Sequence, residues 1–338
     1  MTQTVLITGI TGYIASHCLK QLLEAGYGVK GTARNATKAR KVLDAFDRRD
    51  LEIVEADLSS DTCWDEAVAG ADYVLHVASP FPDAPPKDEN DLIKPAMEGA
   101  ERVLRAAARA GVKRVVMTSS MAAVASGYGK AAQGKTFTEA DWSNLNGPIA
   151  AYDKSKTLAE RRAWEVAGEL GLDLVVINPG LVTGPLLADN AGTSLEVVER
   201  MLKGDLPGLP QIGFRCVDVR DVAAAHVAAL TAPNAPGNRY CCVTEFLWFE
   251  DIAHMLKDAL GEAADKVPTR KLPNVLVRLG SLFDPSLKLI TPNLGVSFKV
   301  DTTAIERDLG FAPHDLRQSV IETAQSLIQY GEVDTLER

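Results

Sequence analysis

Tyr152 and Lys156 stand four residues apart in Tyr152-Asp153-Lys154-Ser155-Lys156, which opens an amphipathic stretch at 151–170. On a helix that spacing places both side chains on one face, one turn apart. Upstream, the apolar run Val115-Val116-Met117 ends in three hydroxyl residues, Thr118, Ser119 and Ser120. These groups could together reduce a carbonyl. Hydride delivery to the carbonyl carbon leaves an oxygen that needs a proton. A tyrosine hydroxyl supplies it when a neighbouring cation lowers its pKa from about 10. Lys156 is placed to be that cation, and a serine can hold the oxygen. Singly, each residue has an ordinary reading, such as a chance spacing or a solvated lysine. Their order behind a nucleotide-binding turn favours the chemical one.

That turn lies at the start of the chain. Val5 to Ile7 reads as a buried parallel strand and Ile14 to Leu23 as a helix. Gly9, Gly12 and Ala15 lie in the connection with the spacing G-x-x-G-x-x-A, unlike the commoner G-x-G-x-x-G. Glycines there permit a sharp turn and close approach of backbone to a ligand. The N–H groups of Thr11, Gly12, Tyr13 and Ile14 then open toward a pyrophosphate at the helix start.

The positioning elements follow from the apolar pattern. Runs at 4–7, 28–33, 51–55, 72–77, 113–118 and 172–177 read as strands. Amphipathic stretches near 13–25, 37–46, 61–69, 90–110 and 151–170 fill the intervals. This alternation predicts an α/β fold, a Rossmann-type doubly wound parallel sheet with helices on both faces. The polar, irregular stretch 121–150 follows the fifth strand and is a candidate binding loop, since ligands gather at the carboxyl ends of such strands. Beyond Asn178-Pro179-Gly180, proline and glycine become frequent and helices shorten, near 193–203, 218–231, 248–260, 273–283 and 316–330. The expected division is a dinucleotide-binding domain at 1–178 and a smaller, mainly helical substrate lobe at 179–338, with about 214–245 returning to the main body.

A chain of 338 residues can bury a sizeable core. Its net charge of −9 argues against nucleic acid and anionic membranes as partners. Five cysteines without metal-ligand spacing read as reduced thiols of a cytoplasmic protein, and no metal is expected. Met1 runs straight into the first strand, which leaves no room for a signal peptide, and no apolar run reaches membrane-spanning length. A monomer or homodimer is expected.

Five segments carry a family resemblance: Thr8-Gly9-Ile10-Thr11-Gly12-Tyr13-Ile14-Ala15, His76-Val77-Ala78-Ser79-Pro80-Phe81, Tyr152-x-x-x-Lys156, Asn178-Pro179-Gly180, and Val217-Asp218-Val219-Arg220-Asp221-Val222-Ala223. Together they resemble the extended short-chain dehydrogenases/reductases, in the dihydroflavonol reductase-like branch that holds NADPH-dependent aldehyde and carbonyl reductases. The resemblance implies Tyr152 as proton donor, Lys156 as ribose ligand and pKa modulator, and Ser120 as holder of the carbonyl oxygen, with Ser119 as the alternative. It also implies adenine contacts from Asp57 and Leu58 and a second phosphate contact from Lys41. Asp57 could otherwise cap a turn. The asparagine that completes a tetrad in many members has no counterpart in Pro95-Ala96-Met97-Glu98-Gly99.

The second strand ends in Gly31-Thr32-Ala33-Arg34, without the acidic residue that binds ribose hydroxyls in NAD enzymes. Arg34 suits a 2′-phosphate, so NADPH is the expected coenzyme. Val77, Ala78, Ser79 and Thr118 are expected beside its nicotinamide half, with Pro179, Gly180, Leu181 and Val182 offering backbone groups to the amide. Phe81, Leu186 and Phe214, with Leu187, Leu206 and Trp142, are candidates for the wall around a small carbonyl substrate. His76 and His226 read as buried structural residues. Two other functions compete: a sugar-nucleotide epimerase or dehydratase on the same scaffold, and a coenzyme-sensing regulator without turnover.

Overall fold

The computed structural model describes residues 2–48, 50–80, 88–190, 192–283, 287 and 290–333. Its first half alternates strand and helix: β1 (Thr4–Thr8), α1 (Tyr13–Glu24), β2 (Gly28–Ala33), α2 (Ala36–Asp44), β3 (Glu52–Glu55), α3 (Trp64–Val68), β4 (Tyr73–His76), α4 (Asn90–Arg109) and β5 (Arg114–Thr118). After the short β6 (Thr136–Phe137) come α5 (Ala151–Leu170), β7 (Leu174–Pro179), β8 (Leu181–Thr183), α6 (Glu196–Lys203), β9 (Gly213–Asp218), α7 (Val219–Ala229) and β10 (Arg239–Cys242). The remainder is β11 (Phe246–Trp248), α8 (Phe249–Leu260), α9 (Asn274–Gly280), β12 (Lys299–Val300), α10 (Thr303–Leu309) and α11 (Leu316–Gln329).

Seven strands form one parallel sheet in the order β10-β7-β5-β4-β1-β2-β3. The chain order reverses between β1 and β4, so the binding crevice of such a sheet lies outside their carboxyl ends. Register brings the ends together, pairing Thr8 with His76, His76 with Met117 and Thr118 with Ile177.

Successive strand residues point to opposite faces, and both faces are apolar. Val5, Ile7, Leu75, Val116 and Ile177 pack with Leu19 of α1 and Val222 of α7. Leu6, Val74, Val115, Met117 and Val176 pack with α3, α4 and α5 on the other side. On α4 the buried stripe is Ala96, Ala100, Val103, Leu104 and Ala107. Burying a leucine such as Leu104 contributes about 1.5–3 kcal/mol.

The strand β10 joins the large sheet beside β7, whereas Phe214 to Val217 lie in β9, part of a small sheet with β8 and β11. The stretch 121–150 differs from the loose polar loop its composition suggested. Phe137 is fully buried and meets Tyr128 and Phe298 edge-on, each at 5.2 Å. Through β6 it pairs with β12, so later residues supply the apolar partners that a local reading of 121–150 lacks. Among the described residues no helix is long and apolar enough to cross a membrane.

Candidate active site

The amino end of α5 carries Tyr152 and Lys156, and the chain leaving β5 carries Ser120. Ser120 is extended, and its hydroxyl accepts from the N–H of Ala122 at 3.1 Å, which caps a short turn. That hydroxyl is also hydrogen-bonded to Tyr152, which keeps 39% of its surface exposed. Ser119 points elsewhere, donating to Glu160 Oε2 at 2.5 Å inside the protein. The geometry thus brings Ser120 and not Ser119 to the tyrosine.

Lys156 Nζ donates to Ser79 Oγ at 3.0 Å and lies 5.8 Å from the centre of the Tyr152 ring. Burial lowers its pKa to about 8, opposed by the negative charge of Glu160. The expected lowering of the tyrosine pKa is not found in this structure. Burial, reinforced by Asp153, pushes Tyr152 up to about 12, and the Ser120 hydrogen bond offsets only part of that. The ammonium is turned to Ser79, while desolvation acts on the phenolate directly. Tyr152 is therefore protonated at neutral pH, as a proton donor must be.

The turn between β1 and α1 holds Gly9 at φ +64°, and a Cβ there would come within 2.9 Å of the Ala78 Cβ. Gly9 thus makes room for the chain leaving β4. Gly12 caps α1 with no side chain over the helix start. Its own N–H, expected to meet a pyrophosphate, is taken by the Gly9 carbonyl at 2.9 Å, so an anion there would be met by the N–H groups of the first helical turn. The Tyr13 side chain takes no part there, because its hydroxyl donates to the Gly184 carbonyl at 2.8 Å. With His17 against the Pro185 carbonyl (2.9 Å) and Asn190 donating to the Thr11 carbonyl (3.1 Å), it ties the turn to 184–190. His17 and Asn190 were missed in the sequence because their partners are backbone oxygens far along the chain.

At the carboxyl end of β2, Arg34 and Lys41 are exposed, and Arg40 is held by the Leu51 carbonyl at 2.7 Å. Asn35 caps α2 through the Lys38 N–H. Asp57 accepts from the N–H and hydroxyl of Ser59, both at 2.7 Å. These bonds, the N–H first, and the charge of Arg34 hold its carboxyl below the ordinary value. Asp57 is a turn cap here, with its second oxygen left for any ligand contact. Leu58 is buried and its carbonyl accepts from Arg102 at 2.9 Å.

Several other expected contacts are redirected. Ala78 donates its N–H to Thr8 Oγ1 (3.0 Å), and Val77 is half-buried beside it. The Thr118 hydroxyl is taken by His226 Nε2 at 2.7 Å, while His226 Nδ1 faces the Val222 carbonyl at 2.7 Å. Gly180 gives its N–H to the Cys242 carbonyl (3.3 Å), and a Cβ on it would lie 2.0 Å from the Arg215 carbonyl oxygen. It is a packing glycine at the end of Pro179, not an open amide for a ligand. Leu181 and Val182 belong to the ladder between β8 and β9. Leu186 is 5% exposed and lies in the main core, with its N–H on Ser326, so it does not stand as an open wall. Leu187 and Leu206 are half-buried. Phe214 is 37% exposed and stands 5.8 Å from the Phe249 ring. Trp142 stacks between Arg161 and Arg239 and is spent on those cations. Phe81 lies outside the described residues.

His76 and His226 are buried, and desolvation lowers them to about 3 and about 4, so both are neutral. Among the described residues one grouping could offer ligands to a metal: Asp218, Asp221 and His314. Arg220 occupies both oxygens of Asp218 (2.8 and 2.7 Å) and His314 both of Asp221, which makes the group an ion-pair cluster.

The fold is that of a Rossmann-type dinucleotide enzyme, and Ser120, Tyr152 and Lys156 lie near one another at the carboxyl edge of its sheet. Residues 5–242 match the model of the NAD dependent epimerase/dehydratase family. The chain belongs to that family, and its relatives are reductases. It is 34% identical over 336 residues to cinnamoyl-CoA reductase 1 of Petunia hybrida, covering 97% of this chain and 93% of that one. It is 37% identical over 262 residues to tetraketide alpha-pyrone reductase 2 of Arabidopsis thaliana, covering 74% and 81%. Among solved structures it is similar to the yeast methylglyoxal/isovaleraldehyde reductase complexed with NADPH, at TM-score 0.81 and 27% identity, covering 98% of this chain and all of that one (100%).

Proposed function

We propose that the protein is an NADPH-dependent reductase of aldehydes or ketones, working on a small carbonyl substrate in a reducing, cytoplasmic setting. The observation that carries this reading is the joining of Ser120, Tyr152 and Lys156 at the carboxyl edge of the sheet. The open start of α1 and the exposed Arg34 and Lys41 fit a dinucleotide bearing an extra phosphate. When bound, the coenzyme supplies a hydride for the carbonyl carbon. The chain's residues do the rest. Ser120 and Tyr152 receive the carbonyl oxygen, Tyr152 donates its proton to it, and Lys156 steadies the phenolate that remains. The reductase relatives support this reading over the epimerase and sensor alternatives, and five unpaired cysteines suit the setting.

In an absorbance assay over a panel of aldehydes and ketones, NADPH should be consumed in step with alcohol formation. Binding without consumption across the panel would sink the reductase reading and leave the epimerase and the sensor. Coenzyme choice gives a second test. A charge-assisted hydrogen bond contributes roughly 1.5–3 kcal/mol, which is about 10- to 150-fold in affinity. Arg34→Ala should weaken NADPH by about that factor or somewhat less, since the site is exposed and salt-screened, and leave NADH unchanged. Titrating both coenzymes at two salt concentrations checks it, and equal wild-type affinities would sink the phosphate role.

A further inference from the structure

Glu160 lies one turn beyond Lys156 on α5 and is fully buried. A carboxylate in that position is costly unless each oxygen is paired. Two of the groups that meet it come from the segments beside Ser120 and two from α5 and β10. Oε2 accepts from Ser119 Oγ at 2.5 Å and Asn178 Nδ2 at 2.7 Å. Oε1 accepts from Trp164 Nε1 at 3.2 Å and faces Arg239 Nε at 2.7 Å. Arg239 is itself buried on β10, held by the Asp141 carbonyl at 2.8 Å and stacked on Trp142 at 3.9 Å.

The connection to the reacting groups is direct. Asn178 Nδ2 also donates to the Ser120 carbonyl at 3.1 Å. One amide thus bridges Glu160 and the backbone of the serine that meets Tyr152. Its orientation is forced, since a flipped amide would set its oxygen against two acceptors. Ser119, bound to the same carboxylate oxygen, fixes the preceding residue. Two consecutive residues of the 118–120 segment are therefore anchored on Glu160.

We propose that Glu160, paired with Arg239, is a positioning residue of the site: through Asn178 and Ser119 it sets the place of Ser120, and its charge faces Lys156 from one turn away. The proposal rests on the reductase reading for its kinetic part only. Its electrostatic part concerns Lys156 alone. The charged and titratable groups around Lys156 are Tyr152, Asp153 and Glu160 on α5 and His76 on β4, with Arg239 of β10 behind Glu160. His76 is neutral throughout the neutral and alkaline range and the charge of Asp153 acts on Tyr152, so among the described residues Glu160 is the group that favours the ammonium. A negative neighbour raises a lysine pKa, so its removal must lower it.

The test uses Glu160→Gln, which keeps the shape and loses the charge, and Glu160→Gln with Arg239→Met, which removes the buried pair together and avoids a lone buried guanidinium. The pH at which Lys156 becomes half-reactive toward acetic anhydride is read by mass spectrometry on the coenzyme-free protein. Thermal unfolding confirms the fold. That midpoint should fall by about one unit in Glu160→Gln and by less in the double variant, which loses the Arg239 cation as well. With NADPH and a carbonyl substrate, kcat should fall about 10-fold or more while KM for the substrate changes less. Ser119→Ala leaves the ion pair intact and should lower kcat a few-fold with the Lys156 midpoint unmoved. If the wild type turns over no carbonyl compound, the reductase reading fails and the labelling midpoint still decides the charge role. Folded charge-removing variants with wild-type midpoint and wild-type kcat would reduce Glu160 to a structural residue and overturn the proposal.

Discussion

Tyr152→Phe is expected to lower kcat by roughly 10²–10⁴-fold, the range for removal of a general acid. The hydroxyl is the only atom lost, and it is the group bonded to Ser120 at the mouth of the site. Stability should hardly change, because the ring packing is kept and the side chain is 39% exposed. Affinity for NADPH should also hold, since the α1 start, Arg34 and Lys41 are untouched. A full comparison takes kcat, KM and coenzyme affinity for both proteins with one good aldehyde. Turnover within a few-fold of the wild type would remove Tyr152 from the chemistry. The direction of its pKa shift matters here. Because burial holds the phenol protonated to about pH 12, the reduction rate should not fall from loss of the tyrosine proton anywhere in the working range.

The parts of this site that were legible in the sequence are the local ones. Tyr152 and Lys156 lie one helical turn apart, so four residues suffice to join them. Gly9 and Gly12 stand at a strand-to-helix junction that the apolar pattern marks on both sides. The sheet was legible for the same reason, since β1, β4, β5 and β7 each hold a short run of Val, Ile or Leu between amphipathic stretches. What escaped depends on register and on partners distant in the chain. Thr118 was assigned to the coenzyme, yet its hydroxyl meets His226 because α7 packs under β5 and β7. Gly180 was expected to offer its backbone to the nicotinamide amide, but its N–H meets the Cys242 carbonyl and its missing Cβ makes room for β9. Leu186 looked like a lobe wall and is core, since Ser326 of α11 draws its backbone inward. Glu160 gives no local sign at all. A glutamate on a helix is ordinarily solvated, and only β10 laid beside β7 delivers the arginine that lets it be buried. The helix α10 was missed because it is only seven residues long and its start is set by Asp301, not by a long apolar stripe.

Lys156→Met should affect rate, pH profile and coenzyme binding together. Lys156 has a pKa of about 8, set first by burial and raised in part by Glu160. It is a cation below that pH and neutral above it. In the proposed reaction its charge steadies the phenolate that forms as Tyr152 gives up its proton, so wild-type kcat should decline as pH rises through about 8. In the methionine variant that decline should vanish, because no group remains to lose the charge. The rate on the low-pH plateau should be lower by roughly 10²–10³-fold, the usual effect of removing one electrostatic stabiliser of a developing oxyanion. The Ser79 hydroxyl loses its donor as well. If Lys156 also bonds the ribose, as the family resemblance implies, NADPH should bind about 10- to 150-fold more weakly, the value of one charge-assisted hydrogen bond. Methionine has nearly the same length and suits a buried position, so the fold should persist and thermal unfolding can verify it. The three readouts separate the roles: a variant that keeps the alkaline decline places the titration on another group, whereas one that loses it and retains coenzyme affinity confines Lys156 to the proton step.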